Sequence, residues 1–164
     1  MNLRRVIVAS LAIISLQSAP SVQPNPETGK RVEQFVEFGL KFFNGINSKP
    51  LKQVIKKTKN QHDPDVTDHW YTVTYSGFRV EFLRAKSATG DLLSTVAIFD
   101  NSISLPFDIA LGDSQAKIIK QLGNPSEMKP TALVYEVGDM YSRSVTFQFK
   151  GGVLTQVLWE YEID

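Results

Sequence analysis

The most informative absence in this chain of 164 residues is cysteine, which does not occur. Without a thiol the protein forms no disulfide bond, and both thiolate catalysis and thiolate metal sites are excluded. Lipid attachment after signal cleavage also needs a cysteine. An exported form of this chain is therefore expected as a soluble product.

Histidine is almost as scarce, and His62 and His69 are the only two in the chain. No Gly-x-Ser-x-Gly segment marks a serine nucleophile. The stretch Thr28–Arg31 ends like a phosphate-binding loop, but Pro24 stands where the first glycine of such a loop belongs. These absences argue against an enzyme, and no cofactor is predicted.

Both histidines fall in the polar segment Gln61–His69. Imidazole and carboxylate groups ligate divalent metals, so this segment holds the candidate ligands. The candidates are His62, Asp63, Asp65 and His69. Their spacing does not fit a calcium loop, which needs glycine at its sixth position and glutamate at its twelfth. A solvated loop is the favoured interpretation, and a small metal-dependent enzyme that uses this loop is an alternative.

Long apolar runs are absent except at the N-terminus. Arg4 and Arg5 precede the apolar run 6–16, and the small residues Ser18, Ala19 and Ser21 follow it. This order is typical of a secretory signal peptide, predicted over residues 1–19, and it implies a periplasmic or secreted protein. A buried helix or short anchor is the alternative. The run is too short to span a membrane, so no transmembrane segment is expected after cleavage.

Charge is nearly balanced overall but unevenly distributed. Residues 30–60 carry eight basic and two acidic groups, whereas residues 61–164 carry eight basic and fourteen acidic groups. Either the two parts dock on each other or the basic part contacts an anionic partner. Nucleic acid is not expected, because the lysines are not interleaved with aromatic residues and export separates the protein from it.

Two helices are predicted before the first strand, after a linker at 20–29. The segment 30–48 has apolar residues at helical spacing, and Phe38 and Phe42 add a second stripe that is either sandwiched or part of a partner-binding surface. Ser48 and Pro50 suit the start of another helix over Ser48–Lys59. That helix would present a basic face of Lys49, Lys52, Lys56 and Lys59. The basic face is either solvated or in contact with an acidic protein or anionic lipid.

A third helix is predicted within Leu111–Pro125, where Ser114 can cap the start and Gly123 the end. Strand candidates show alternating apolar residues and are separated by turn signals such as Ser76-Gly77 and Gly151-Gly152. They are Trp70–Tyr75, Phe78–Arg84, Leu92–Asp100, Thr131–Val137, Arg143–Lys150 and Val153–Ile163.

Similar segments recur after the middle of the chain. Tyr135 follows Tyr75 by 60 positions, Val145 follows Val80 by 65, and Leu154 follows Leu93 by 61. The prediction is an α+β fold built from two αβββ repeats, at 49–101 and 102–164, with an extra N-terminal helix. The strands would form one antiparallel sheet with the helices packed on one face.

Strand alternation divides the sheet into two faces. The apolar face contains Phe78, Val80, Phe82, Val145, Phe147 and Phe149, which are expected under the helices. The opposite face is polar with a few large apolar groups, among which parity places Leu154, and such a surface is typical of protein recognition. The candidate partner-binding residues are Trp70, Thr72, Arg79, Glu81, Gln148, Gln156, Leu158 and Glu160.

The tract that runs from Leu111-Gly-Asp-Ser to Leu122-Gly-Asn-Pro, with Tyr135, Phe147 and Leu154–Trp159, resembles the SmpA/OmlA (BamE-like) domain. The doubled unit is similar to the tandem arrangement of beta-lactamase inhibitor proteins. This resemblance implies helices packed on a sheet, in an exported protein that binds other proteins.

The function predicted from the sequence is a non-catalytic protein-binding module of the bacterial envelope, present as a monomer. The partner would be an envelope protein or an inhibited enzyme. A secreted enzyme inhibitor or immunity-type protein is the alternative, with Trp70, Arg79 and Glu81 as candidate anchors, because tryptophan and arginine often dominate interfaces.

Overall fold

The computed structural model describes residues 26–60, 63–85, 90–138 and 142–163. It confirms the α+β class, with an antiparallel eight-stranded sheet covered on one face by two α-helices. The elements in chain order are α1 (Pro26–Asn44), β1 (Lys52–Lys59), β2 (Thr67–Thr74), β3 (Phe78–Arg84), β4 (Leu92–Ile98), a 3-10 turn (Pro106–Asp108), α2 (Gln115–Leu122), β5 (Glu127–Lys129), β6 (Ala132–Val137), β7 (Arg143–Lys150) and β8 (Val153–Tyr161).

The sheet consists of two meanders that meet at its centre. Its strand order is β1-β2-β3-β4-β8-β7-β6-β5, and β4 pairs with β8 in antiparallel orientation. Each half of the chain therefore contributes one helix followed by four strands. Strands β1 and β5 are the two outer edges.

The core lies between the sheet and helix α1. Phe35 stacks on Trp159 with ring centroids 5.4 Å apart and tilts against Phe147 at 5.2 Å. The Trp159 Nε1–H donates to the carbonyl of Phe35 at 2.9 Å, and the Tyr161 hydroxyl donates to that of Val36 at 2.7 Å. These buried bonds satisfy the indole N–H and the tyrosine hydroxyl, and they hold α1 to the last strand.

Phe38 and Phe42 also contribute to this packing. Phe38 lies 5.9 Å from Trp159, and Phe42 meets Phe78 edge-on at 4.9 Å. Both side chains are half-buried against the core. The second apolar stripe of α1 therefore faces the sheet, as the sandwich interpretation requires, and does not form a free surface.

Helix α2 has the predicted punctuation. The Ser114 hydroxyl accepts the backbone N–H of Lys117 at 3.3 Å, and Gly123 ends the helix with a positive φ of 82°. Ile118 and Leu122 are buried against the sheet. The Tyr135 hydroxyl donates to the carbonyl of Gly123 at 2.8 Å and so ties the end of the helix to β6.

The predicted helix at Ser48–Lys59 is wrong, because residues 52–59 form strand β1. Three β-branched residues (Val54, Ile55 and Thr58) favour a strand, and pairing with β2 supplies the backbone hydrogen bonds. The predicted basic helix face therefore does not exist. Lys52 and Lys56 lie on one face of the strand and Lys59 on the other, while Lys49 precedes the strand.

The predicted repeat unit also needs correction. Each half has four strands, because β1 replaces the predicted helix and the short strand β5 was not predicted. The helix that precedes the first meander is α1. It begins at Pro26, so residues 26–29 of the predicted linker are helical.

The predicted signal peptide and residues 20–25 lie outside the described residues. Within the described part of the chain, neither helix has the length and apolar content needed to cross a bilayer.

Candidate partner-binding face of the sheet

Neither of the two described helices covers the opposite face of the sheet, and all eight candidate residues predicted from the sequence lie on that face. Cross-strand pairing places Thr72 beside Glu81 and Gln148 beside Gln156. We call this surface the open face. Its residues in strand order are Lys52, Val54, Lys56 and Thr58 on β1; Asp68, Trp70, Thr72 and Thr74 on β2; Arg79, Glu81 and Leu83 on β3; Leu92, Thr95 and Ala97 on β4; Gln156, Leu158 and Glu160 on β8; Ser144, Thr146 and Gln148 on β7; Ala132, Val134 and Glu136 on β6; and Glu127 and Lys129 on β5.

A shallow cavity of about 250 Å³ lies on the open face over β1, β2 and β3. Trp70 pairs with Lys56 on one side and Leu83 on the other, so the indole stands between an ammonium group and an aliphatic side chain. The lining residues are Val54, Lys56, Thr58, Trp70, Tyr71, Thr72 and Glu81. The cavity therefore combines an apolar body with hydroxyl groups and charges at its rim.

The charge around this cavity is predominantly positive. Arg79 and Glu81 face each other with 3.7 Å between Nε and Oε1, so the carboxylate is already shared with a guanidinium. Both side chains are well exposed, and such a pair adds little to stability. Among the described residues, no carboxylate lies within ion-pair distance of Lys52 or Lys56. These two ammonium groups are available to a partner.

The second group of candidates lies on β7 and β8. Leu158 is half-buried between Ala97 and Thr146, and Glu160 is exposed beside Thr95. Three strand spacings, about 14 Å, separate β2 from β8. The eight candidates thus form two clusters on one face, a basic cluster with the cavity and a neutral to acidic cluster around Leu158.

Leu154 does not belong to the open face, contrary to the parity argument. It is buried at 1% exposure and pairs with Phe149 on the helix-covered face. The ladder between β7 and β8 shifts register between Gln148 and Phe149. A bulge of this kind inserts one extra residue, which reverses the side-chain parity beyond it.

The sequence reasoning missed Val54, Thr58 and Leu83. The first two were assigned to a helix, so their place in the cavity was not foreseen. The signal that favours a strand here is the β-branched content of β1. Leu83 was not predicted for another reason. It follows Phe82 directly, and both side chains are buried on opposite faces of β3, so the pair does not show the expected alternation.

The three metal candidates that the structure describes, Asp63, Asp65 and His69, do not form one cluster. His69 lies on the helix-covered face of β2, paired with Lys57 and Arg84, while Asp63 and Asp65 are exposed in the β1–β2 turn. No group of three His, Cys, Asp or Glu side chains within the described ranges is placed to hold a metal ion. The remaining candidate, His62, lies outside those ranges.

The β1–β2 turn is organised by Asn60. Its Oδ1 accepts the backbone N–H of Asp63 at 3.0 Å, and its Nδ2 donates to Oδ2 of the buried Asp68 at 2.7 Å. The Lys59 ammonium donates to the carbonyl of Pro64 at 2.9 Å. These contacts give Asn60, Asp63 and one carboxylate oxygen of Asp68 a role in the turn at the end of β1.

Comparisons of this chain with protein-family models, with curated proteins and with solved structures give no match. The resemblance to SmpA/OmlA domains and to beta-lactamase inhibitor proteins therefore stays a prediction.

Proposed function

We propose that this protein is an exported, non-catalytic binding protein that recognises a partner protein through the open face. The observation that carries the proposal is the combination of an uncovered sheet face and a cavity built around Trp70. Tryptophan anchors in partly dry pockets dominate many protein interfaces. Polar residues with a few large apolar groups among them are typical of surfaces that bind reversibly.

The partner surface is proposed to be acidic where it meets β1, β2 and β3. Lys52 and Lys56 have no counterion among the described residues. The ion pair between Arg79 and Glu81 is exposed to solvent. A complementary negative patch would neutralise these charges and accelerate association. Around Leu158, about 14 Å away by strand spacing, the partner would present apolar or hydrogen-bonding groups.

Duplication is proposed as the origin of the two halves, and the register at the sheet centre supports it. Ala97 pairs with Leu158, which lies 61 positions later in the chain. The two flanking pairs exchange with each other under that same shift: Val96 with Trp159, and Ile98 with Val157. A tandem of related units, as in beta-lactamase inhibitor proteins, would produce this symmetry.

An enzyme inhibitor or immunity-type role is the second candidate, and it would use the same open face. The observation that favours it is that the face is formed by β-strands hydrogen-bonded to one another, which suits it to a fixed complementary surface. The two roles differ in the partner, because an inhibited enzyme loses activity when the complex forms and a scaffold protein does not.

The absence of native cysteine allows a direct test. A single cysteine at Thr72→Cys carries a photo-crosslinker on the open face, and Glu33→Cys carries it on the exposed side of α1 as the matched control. In envelope extract, the Thr72 probe is expected to crosslink one protein that the Glu33 probe does not. Equal crosslinking from both positions would contradict the proposal.

Trp70→Ala in the Thr72→Cys background gives the quantitative test. Loss of a hot-spot side chain is expected to weaken capture by roughly thirtyfold. The thermal unfolding midpoint should change little, because the indole lies on the open face outside the core. Unchanged capture by this variant would exclude Trp70 as the anchor.

A further inference from the structure

Strand β1 is a full-length outer edge of the sheet, and no other described strand pairs with its free side. It has eight residues, and seven of them are exposed. Its register with β2 runs without interruption from Lys52 opposite Thr74 to Lys59 opposite Thr67, and it contains no proline. The other outer strand, β5, has only three residues. Short length protects the β5 edge from pairing, and β1 lacks that protection.

The backbone groups that point to the free edge can be assigned from the hydrogen bonds that continue the ladder. The N–H of Asn60 donates to the carbonyl of Val66, and the N–H of Tyr75 donates to that of Phe78. Alternation along an antiparallel ladder then directs the even-numbered residues of β1 to β2. The N–H and C=O groups of Gln53, Ile55 and Lys57 point away from β2, to the free edge.

Apolar side chains lie on both faces of this edge. Val54 is 48% exposed on the open face, and Ile55 is 46% exposed on the other face. Helix α1 packs over β3, β4, β6 and β7 but leaves the Ile55 side uncovered. An added strand would therefore gain apolar contact above and below the sheet as well as backbone hydrogen bonds.

The charge of the edge selects the partner. Lys52 and Lys56 on one face and Lys57 on the other have no ion-pair partner among the described residues. Glu136 on β6 lies six strand spacings away, roughly 30 Å, and Glu160 on β8 lies four spacings away, roughly 20 Å. Both distances exceed the Debye length of about 8 Å at physiological salt. The described carboxylates nearer to β1, which are Asp63, Asp65, Asp68 and Glu81, form no ion pair with these three lysines.

A second copy of the chain is a poor occupant. Antiparallel pairing of β1 with another β1 brings the four lysines of each strand opposite or beside those of the other. Like charges across a strand pair destabilise it. An acidic strand has the opposite effect, because each carboxylate opposite a lysine forms a cross-strand ion pair.

We propose that β1 binds an extended acidic segment of another polypeptide as a ninth strand of the sheet. Pairing would use the outward backbone groups of Gln53, Ile55 and Lys57. Acidic residues of the segment lie opposite Lys52, Lys56 and Lys57, and apolar residues lie opposite Val54 and Ile55. This interaction uses the edge of the sheet and does not require occupancy of the open face.

The test uses a blocked synthetic peptide, Thr-Glu-Glu-Val-Val-Thr-Glu, designed to lie antiparallel to residues 58–52. Its binding to the purified protein is measured by titration. Amide hydrogen exchange is then measured at saturation. The amides of Gln53, Ile55 and Lys57 are expected to exchange at least about tenfold more slowly, whereas those of Val54 and Lys56 change little.

Ile55→Pro removes an outward N–H without breaking a bond to β2, and Ile55→Val is the matched control. We expect the proline variant to bind the peptide about tenfold more weakly and the valine variant to bind it normally. Exchanging the charges, with Lys56→Glu and Lys57→Glu against a peptide with lysines in place of the paired glutamates, should restore binding.

Three results would overturn the proposal. One is absence of binding, which leaves the lysines as simple protection of the edge. Another is binding without protection of the outward amides, or binding unaffected by Ile55→Pro, which means attraction by charge alone. The third is self-association through β1, seen as a dimer by sedimentation and abolished by Ile55→Pro.

Discussion

The two halves of the molecule share one order of elements but bury their strands very differently. In the second half, α2 packs on its own meander, and β7 and β8 alternate buried and accessible residues. In the first half, α1 lies over β4 and over the strands of the second half, and β1 is exposed on both faces. The helix of the first half therefore also packs on strands of the second half, and the outer strand β1 is left exposed.

This difference shows where stability and recognition are located. The buried aromatic residues come from α1 and from strands of both halves, with Phe78 and Phe82 on β3, whereas the cavity and the free edge belong to β1, β2 and β3 alone. Changes at buried core positions should mainly reduce the free energy of unfolding. Changes at accessible positions of β1 to β3, on the open face or at the free edge, should mainly alter binding.

Ile118→Asp should have the largest effect on stability. Ile118 lies on α2, and its side chain is fully buried against the sheet. An unpaired carboxylate at this place costs several kcal/mol, comparable to the stability of a small domain. The second half is expected to unfold, as measured by circular dichroism and urea titration. Ala116→Asp, at an exposed position of the same helix, should leave stability within about 0.5 kcal/mol. A folded Ile118→Asp protein would contradict the placement of α2.

Gly39→Ala tests the contact between α1 and β8. A Cβ at this position would lie 2.8 Å from Cγ of Trp159 and would also overlap the Tyr161 hydroxyl. Overpacking of this kind costs about 1–3 kcal/mol. Gly29→Ala is the matched control, because nothing lies within 4 Å of its added Cβ. That control should stabilise α1 by about 0.5–1 kcal/mol. Equal effects at both positions would show that α1 does not rest on β8.

High pH should weaken the contacts by which Tyr135 and Tyr161 hold α2 and α1 to the sheet. Burial raises the pKa of Tyr135 above its ordinary value of 10.0, and it raises the pKa of Tyr161 more than the nearby Arg143 lowers it. Below pH 10 both tyrosines stay protonated whether the chain is folded or unfolded, so this contribution is constant. Above pH 10 the unfolded chain releases these protons first, and stability falls by at most about 1.4 kcal/mol per pH unit for each tyrosine.

Urea titrations between pH 8 and pH 11 measure this decline. Tyr161→Phe should be less stable at neutral pH, because it loses the bond to the Val36 carbonyl. It should also show a shallower decline above pH 10, because one of the two groups is gone. A decline of the same steepness in this variant would assign the pH dependence elsewhere.

Metal depletion should have the smallest effect, and it concerns the first half. Chelation of divalent ions is expected to shift the unfolding midpoint by less than about 1 °C, since an ion stabilises the fold only if it binds the native state. A clear rise on addition of zinc or calcium would restore the 62–69 segment as a site. His69→Ala would then identify the ligand.

The success of sequence reasoning followed the strength of local patterns. The predicted bounds of β3 and β7 coincide with the structure, because each strand alternates between a buried core face and an accessible face. The cap of α2 is correct for a similar reason, since Ser114 and Gly123 act within their own turns. All eight candidate binding residues reached one face because strand parity needs only the correct register.

The wrong predictions share one cause: the structure of β1, of β5 and around Leu154 depends on residues far away in the sequence. Strand β1 has no buried face, so it carries no period-2 pattern. Strand β5 is too short to show one. Leu154 was placed on the wrong face, because a bulge depends on how β7 meets β8 and leaves no mark in either strand alone.

The α+β class, the turns, the cap of α2 and the two faces of the central strands can be predicted from the amino-acid sequence. These features depend on contacts within a few residues or on strict alternation. That residues 52–59 form a strand and that α1 lies across the other half depends instead on contacts between distant parts of the chain. Each cross-strand hydrogen bond contributes only about 0.5–1.5 kcal/mol. The β-branched residues of β1 favour a strand only weakly, so the sum of many bonds to β2 settles the choice.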